Sequence, residues 1–124
     1  MNYYEEIKNE LINNEINKKV KNYLINRNDL ETRYNVGKLL SEAGKKYGEG
    51  IIIEYSKKLT LDLGKGYNVT NLKRYRQFYI LIQKGATLAH QLSWSYYSEL
   101  IPLKNINVIN YYIKLCKIQI IFIR

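Results

Sequence analysis

The stretch GKGYNVTNLKRYRQFY, residues 64–79, places a glycine-containing turn directly before a segment with three cations and three aromatic residues. Two glycines flank the lysine of the turn, and glycine accepts the positive φ angles that tight turns require. Asn68 or Thr70 can accept a hydrogen bond from the first turn of a helix, as N-cap residues do. The pattern predicts a helix over about residues 69–84 that ends at Gly85.

This predicted helix is amphipathic when its residues are placed on a wheel at about 100° per residue. One arc is apolar and should face the core; it carries Leu72, Tyr75, Phe78, Tyr79 and Ile82. The opposite arc is polar and basic; it carries Lys73, Arg74, Gln77 and Lys84, with Arg76 at its edge. A short turn at residues 64–68 joins this helix to a preceding one, which predicts a helix-turn-helix-like pair.

The outward groups are those that a nucleic-acid recognition helix uses. Arg and Lys neutralise phosphates or bind guanine edges, and Gln can bind adenine. The N–H groups at a helix N-terminus also bind phosphate. The candidate DNA-binding residues are therefore Lys65, Asn71, Lys73, Arg74, Arg76, Gln77 and Lys84. An ordinary core helix with a solvated outer face would show the same basic pattern, so this alternative stays open.

Apolar residues recur at helical spacing in the N-terminal half as well. A first stripe carries Tyr4, Ile7, Leu11, Ile16, Val20 and Leu24. NRND at residues 26–29 is interpreted as a loop, with Asp29 as the N-cap of a helix over about residues 30–43. That helix should bury Val36, Leu39, Leu40 and Ala43. Because Gly37 interrupts it at a cost of about 1 kcal/mol, we expect a close helix crossing there.

The remaining segments are also interpreted as helices. AGKKYGEG should break the chain before a helix over about residues 49–63, which carries Ile52, Tyr55, Leu59 and Leu63 on one stripe. A short helix begins near Ser93 and ends before Pro102, and a last helix spans about residues 107–117. The tail at 118–124 could be a strand, a helix extension or an ill-fitting end.

The predicted fold is therefore all-α, a small multi-helix bundle with a helix-turn-helix-like pair. Residues 1–29 form an N-terminal helix, residues 30–117 form the helical domain with the helix-turn-helix, and residues 118–124 form an atypical tail.

The positive charge is concentrated in the second half of the chain. Residues 1–63 carry eleven Lys and Arg against ten Asp and Glu, whereas residues 64–124 carry nine against one, Glu99. A region with almost no acids builds a positive field that attracts polyanions. Nucleic acid is the commonest such partner and an anionic membrane surface the next; a solubilising excess of charge is the remaining explanation.

Catalytic and metal-binding chemistry finds little support in the sequence. His90 has no Cys, Asp or Glu at ligand spacing, and after Asp62 only Glu99 could serve a two-metal nuclease site. A tyrosine nucleophile would need converging groups, for which only Arg74, Arg76 and His90 are present. GKGYN is not a phosphate-binding Walker loop. We predict no catalytic residue, no metal, no cofactor and no small-molecule substrate.

The single cysteine, Cys116, excludes an internal disulfide and favours a reducing compartment. The N-terminus lacks the pattern of a signal peptide, and no run of eighteen apolar residues could span a membrane. The sequence therefore predicts a cytoplasmic protein without a membrane partner. Trp94 and Tyr97 could stack on bases, but Trp94 is expected to pack in the core, with Ser93 as the N-cap of its helix.

A series of short motifs follows in a fixed order through the centre of the chain. They are Tyr34 and Gly37, Tyr47-Gly48, Ser56 with Leu59-Thr60, Gly64-Lys65-Gly66, Asn71-Leu72, Arg76-Gln77-Phe78-Tyr79, Leu92-Ser93-Trp94-Ser95, Glu99-Leu100 and NYYIK at 110–114. In this order and spacing, over about residues 30–115, they resemble the N-terminal domain of bacterial YhcG-type proteins.

The resemblance implies a helical, helix-turn-helix-like domain. In full-length relatives this domain precedes a nuclease domain of the PD-(D/E)XK superfamily, whose acids and lysine bind Mg²⁺ and cut DNA. Because this chain stops at Arg124, we expect that nuclease domain to be absent and do not carry its catalysis over. What carries over is a DNA-associated module with Lys73, Arg74, Arg76 and Gln77 on its DNA-facing side.

Three hypotheses follow for the function. The first is a non-catalytic DNA-binding module, with DNA as its partner. The second is a protein-interaction module that forms a homodimer or docks a separate nuclease domain, with aromatic residues as interface anchors. The third is a remnant without activity of its own.

Overall fold

The computed structural model describes residues 2–20, 25–89 and 92–123. These residues form six α-helices: α1 Tyr3–Val20, α2 Ile25–Tyr47, α3 Gly50–Leu63, α4 Val69–Gln83, α5 Trp94–Leu100 and α6 Ile106–Ile123. A short 3₁₀ helix, Ile101–Leu103, lies between α5 and α6. Because the described ranges contain no strand, the predicted all-α fold is confirmed.

Two clusters of buried side chains form the core. The first joins α1, α2, α3 and the start of α4, and contains Tyr4, Ile7, Leu11, Val36, Leu40, Ala43, Ile52, Tyr55, Leu59, Leu72 and Tyr75. The second joins the end of α4 to α5 and α6, and contains Leu30, Phe78, Leu81, Ala86, Ala89, Leu92, Tyr97, Leu100, Ile101, Ile109 and Ile113. Helix α4 is thus the element that supplies several side chains to both clusters.

The buried side of α4 rotates along its length. Leu72, Tyr75, Phe78 and Leu81 are buried at intervals of three residues, and each such interval turns the side chain by about 60° around the helix axis. The buried side therefore lies about half a turn further round at Leu81 than at Leu72. The predicted single arc is wrong in this respect: Leu81 is buried, whereas Tyr79 and Ile82 are only half-buried.

Helix α4 makes its most extensive contacts with α2. The two backbones meet at Gly37, where an added Cβ would lie 2.1 Å from the carbonyl oxygen of Tyr75 and 3.0 Å from the Cβ of Tyr79. No side chain fits in that space. The close crossing predicted at Gly37 is confirmed, and it fixes α4 against the longest helix of the fold.

The start of α2 differs from the prediction. NRND at residues 26–29 lies inside α2 and not in a loop, so Asp29 is not an N-cap. Its buried carboxylate instead accepts hydrogen bonds from Asn14 Nδ2 and Arg33 Nε, each at 3.0 Å. Asn and Asp have modest helix propensity, and these contacts with α1 and the next turn of α2 outweigh it.

The remaining boundaries follow the glycines. Helix α2 continues through AGKKY to Tyr47, and the chain turns only at Gly48, whose φ is 89°. Gly64 and Gly85, with φ of 94° and 114°, follow the ends of α3 and α4 as predicted. Helix α6 runs on to Ile123, so the backbone of the tail extends the last helix. The side chains of Ile16, Val20 and Leu24 lie outside the described residues.

Candidate nucleic-acid interface

The turn before α4 is fastened to the helices on both sides of it. Asn68 is the N-cap, and its Oδ1 accepts a hydrogen bond from the backbone N–H of Asn71 at 2.8 Å. The side-chain amide of Asn71 donates to the carbonyl of Gly66 at 3.0 Å. From α3, Ser56 Oγ donates to the carbonyl of Tyr67 at 2.8 Å. Asn71 thus holds the turn, and the amide proposed for nucleic-acid contact is used inside the protein.

The basic face of α4, defined here as Lys73, Arg74, Gln77 and Lys84, lies largely in solvent. Lys73, Arg74 and Lys84 are exposed, and Gln77 is half-buried. Among the residues that the structure describes, no carboxylate forms an ion pair with these three cations. Lys65, in the turn before the helix, is also exposed, and no described carboxylate forms an ion pair with it. Within the part of the chain that the structure describes, no ion pair therefore compensates the positive charge of this surface.

Arg76 lies in a different environment. Its guanidinium Nη1 contacts both carboxylate oxygens of Glu49, at 2.8 and 3.0 Å. The Arg76 side chain is 19% exposed, whereas Glu49, just before α3, is 72% exposed. A carboxylate at this distance largely cancels the charge of the guanidinium. Arg76 therefore joins α4 to the start of α3 and adds little to the positive field.

A polar groove runs between α2 and α4 beside the basic face. Its volume is about 340 Å³, and it is lined by Ser41, Gly44, Lys45, Glu49, Arg76, Gln77 and Ile80. Gln77 connects the groove to the basic face, and Lys45 of α2 is exposed on its other side. The helical pattern predicts Gln77 on this surface, but it does not indicate the contribution of α2.

Three acids of the N-terminal half, Asp29, Glu54 and Asp62, are paired with cations of the same half. Lys8 Nζ lies 3.4 Å from Asp62, and Lys58 Nζ lies 3.3 Å from Glu54 on the preceding turn of α3. The hydroxyl of Tyr4 also donates to Asp62, and together with Lys8 it lowers the pKa of that carboxyl below its usual range. These contacts hold the charges of Glu54 and Asp62 within the N-terminal half, whereas Glu49 contacts Arg76 of α4.

Arg33 is a highly connected polar side chain that the sequence pattern did not indicate. Its guanidinium lies 4.9 Å from the centroid of the Tyr75 ring and 4.7 Å from that of Trp94. It donates to the Tyr75 hydroxyl at 2.6 Å and to Asp29 at 3.0 Å. The spacing of Asp29 and Arg33, four residues apart, was the one signal available. This group is half-buried and joins α2, α4 and α5, which favours a structural role.

The aromatic residues of α5 contribute to the core. Trp94 is half-buried and meets the Phe78 ring edge-on at 5.3 Å between centroids. Ser93 occupies the N-cap position without a side-chain capping hydrogen bond. The Tyr97 hydroxyl donates to the carbonyl of Thr87 at 2.9 Å and accepts from the N–H of Ala89 at 2.7 Å. Tyr97 thus holds the loop after α4 and is not available for stacking on bases.

The sequence also predicts that the chain has no metal site and no membrane-spanning segment. Within the described part of the chain, no three His, Cys, Asp or Glu side chains come together as metal ligands would. In the same part, none of the helices has the length and apolar character needed to cross a bilayer. His90 lies outside the described residues, so the expectation that it binds no metal stays a prediction.

A comparison with protein families gives one match. The family model described as the DUF1016 N-terminal domain matches residues 6–121. Neither a curated protein nor a solved structure matches the chain. The matched range includes the turn before α4, the whole of α4, the second buried cluster and all of the first cluster except Tyr4.

Proposed function

This chain belongs to the family of DUF1016 N-terminal domains, and we propose that it is a non-catalytic DNA-binding module that contacts duplex phosphates through the basic face of α4. One observation carries the proposal. Lys73 and Arg74 are exposed on a helix that packs into both clusters, and no carboxylate of the described residues forms an ion pair with them. Such a helix presents its cations from a fixed position, which favours binding to a regularly spaced polyanion.

The cations of this surface differ in what they contribute. Lys65, Lys73, Arg74 and Lys84 are exposed, so each can neutralise a phosphate and release a counterion. Arg76 is already paired with Glu49 and contributes less. Four phosphate contacts correspond to a slope of roughly −3.6 in a plot of log K against log salt concentration. The affinity for duplex DNA should therefore fall steeply as the salt concentration rises.

The binding test uses two double variants that remove the same charge from different surfaces. Lys73→Ala/Arg74→Ala removes two cations of the basic face, and Lys57→Ala/Lys104→Ala removes two exposed cations from α3 and from the loop before α6. Fluorescence anisotropy with a labelled duplex gives the affinity at several salt concentrations. We expect the first variant to bind at least about tenfold more weakly, with a salt slope shallower by roughly 1.8.

The control variant should bind within about twofold of the parent chain. An equal loss of affinity in both variants would mean that only the net charge matters, and the assignment to α4 would then be wrong. Unchanged affinity in a folded Lys73→Ala/Arg74→Ala variant would reject the proposal outright. Circular dichroism of each variant shows whether the helices are retained.

A further inference from the structure

Helix α6 carries apolar side chains on two sides. Ile109 and Ile113 are buried in the second cluster. Four other apolar or aromatic residues of the same helix are exposed: Val108 by 39%, Tyr111 by 60%, Tyr112 by 45% and Leu115 by 38%. These four residues, the α6 stripe, fall within an arc of about 100° on the helix. The core of the described chain does not use this arc.

The α6 stripe has the spacing of a helix–helix contact. Its members stand at positions i, i+3, i+4 and i+7, the pattern with which one helix packs its side chains against another. No member of the stripe is charged, so a helix can pack on it without burying an ion. This pattern favours an α-helix as the occupant over an extended strand or a flat surface.

The stripe is also symmetric along the chain. Its midpoint lies between Tyr111 and Tyr112, with Val108 three residues before Tyr111 and Leu115 three residues after Tyr112. A twofold axis at that midpoint brings Tyr111 of one copy against Tyr112 of the other, and Val108 against Leu115. A twofold interface requires a patch that is complementary to itself, and the α6 stripe meets that requirement in an antiparallel arrangement.

The charges beside the stripe are compatible with this arrangement. Lys114 is exposed next to the stripe. In the antiparallel register it lies about two residues, or ~3 Å, from the level of Asn107 of the second copy. Its own symmetry mate is about five residues, or ~7.5 Å, away along the axis. The amide of Asn107 in the second copy is therefore closer to Lys114 along the axis than the second Lys114 is.

The available area indicates how strong such an interface would be. With about 200 Å² for a whole tyrosine and somewhat less for valine and leucine, the exposed fractions correspond to roughly 350 Å² on each copy. Two copies would bury roughly 700 Å² through the stripe, which is below the roughly 1,000 Å² of stable interfaces and in the range of weak, transient ones. The expected complex is thus a weak dimer that dissociates on dilution.

We propose that the α6 stripe is a self-association surface, on which α6 of a second copy of this chain packs in an antiparallel orientation. This surface is separate from the basic face of α4, and the inference does not depend on DNA binding. The dimer would present two copies of α4 in one complex related by a twofold axis.

Sedimentation velocity tests the association without DNA. From about 1 µM to about 500 µM, the mean mass should rise from that of one chain towards that of two. Tyr112→Glu places a carboxylate within the stripe and should raise the dissociation constant at least about tenfold. Tyr96→Glu makes the same change at a tyrosine of α5 with similar exposure, 47%, and should alter the constant by less than about twofold.

Disulfide cross-linking tests the orientation. In a Cys116→Ala background, Val108→Cys and Leu115→Cys chains should cross-link when mixed, because these positions face each other across the twofold axis. Each variant alone should not cross-link, since its two cysteines would stand roughly 10 Å apart along the axis.

Three outcomes would overturn the proposal. These are a chain that stays monomeric at all concentrations, a dimer that Tyr112→Glu does not weaken, and cross-linking of each single variant with itself but not of the mixture. The last result would indicate a parallel pair. Since none of these measurements involves DNA, they stand apart from the binding test on α4.

Discussion

Gly37 of α2 faces the backbone carbonyl of Tyr75 in α4 so closely that a Cβ would lie 2.1 Å from the oxygen. The neighbouring atoms are backbone and cannot move aside without separating the two helices. We therefore expect Gly37→Ala to lower the free energy of unfolding by about 3 kcal/mol or more. Urea denaturation followed by circular dichroism measures the change.

Gly44, two turns further along α2, provides the control. A Cβ there would meet only the Nη1 atom of Arg76, at an ordinary distance of 3.7 Å. Gly44→Ala should raise the free energy of unfolding by about 0.5–1 kcal/mol, because alanine is the better helix former. Destabilisation by both substitutions to the same extent would show that the close crossing is not the cause.

The pair of Arg76 and Glu49 gives a prediction of increased binding. If Glu49 masks the guanidinium, Glu49→Gln should raise the affinity for duplex DNA about two- to fivefold and steepen the salt slope by up to roughly 0.9. Fluorescence anisotropy measures both quantities. The expected loss of stability is under about 1 kcal/mol, because Glu49 is largely solvated.

Glu54→Gln is the matched control for Glu49→Gln. It removes one carboxylate from α3 that pairs with Lys58 at 3.3 Å, where both side chains are more than half exposed. An increase in affinity of the same size in this variant would attribute the effect to net charge and not to the release of Arg76.

The contacts of Arg33 with Asp29, Tyr75 and Trp94 should contribute strongly to the free energy of unfolding. Arg33→Ala removes the cation beside the buried carboxylate of Asp29 and the contacts with the Tyr75 and Trp94 rings. A loss of about 3–5 kcal/mol in the free energy of unfolding is expected, as for a broken ion pair with little solvent around it. Chemical denaturation provides the value.

Lys58→Ala is the comparison for this change, because Lys58 also pairs with a carboxylate four residues away. That pair is exposed, so the loss should be under about 0.5 kcal/mol. Similar losses in the two variants would contradict the structural role assigned to Arg33.

Asp62 should make the stability depend on pH in the acid range. Hydrogen bonds from Tyr4 and Lys8 lower the pKa of this carboxyl in the folded chain. Its contribution is therefore fully present above the unfolded-state pKa of about 3.9 and is lost as the pH falls through the lower, folded-state pKa. Melting temperatures between about pH 2 and pH 6 should show a shallower acid dependence in Asp62→Asn than in the parent chain. An unchanged slope would contradict the pairing with Tyr4.

Local signals in the sequence were sufficient for several features of α4. Asn68 caps the helix, Gly64 and Gly85 follow helix ends, and Lys73 and Arg74 are exposed, as the wheel predicted. Each of these depends on residues within one or two turns of each other. Glycine conformation, capping and helical periodicity act over that range, so they can be inferred from the chain alone.

Other features depend on contacts between distant segments. The counter-charge of Arg76 is Glu49, 27 residues earlier, and no helical wheel could identify it. Asp29 is held inside a helix by Asn14 of α1, which overrode the local indication of a cap. Leu81 is buried because the second cluster approaches α4 from another side than the first. One sequence does not reveal which distant segments meet.

The sharing of α4 between both clusters has a mechanical consequence. Rotation or displacement of this helix would disturb Leu72 and Tyr75 at one end and Phe78 and Leu81 at the other. The surface it exposes is therefore stiff, so a binding partner has to adjust its own shape to the protein.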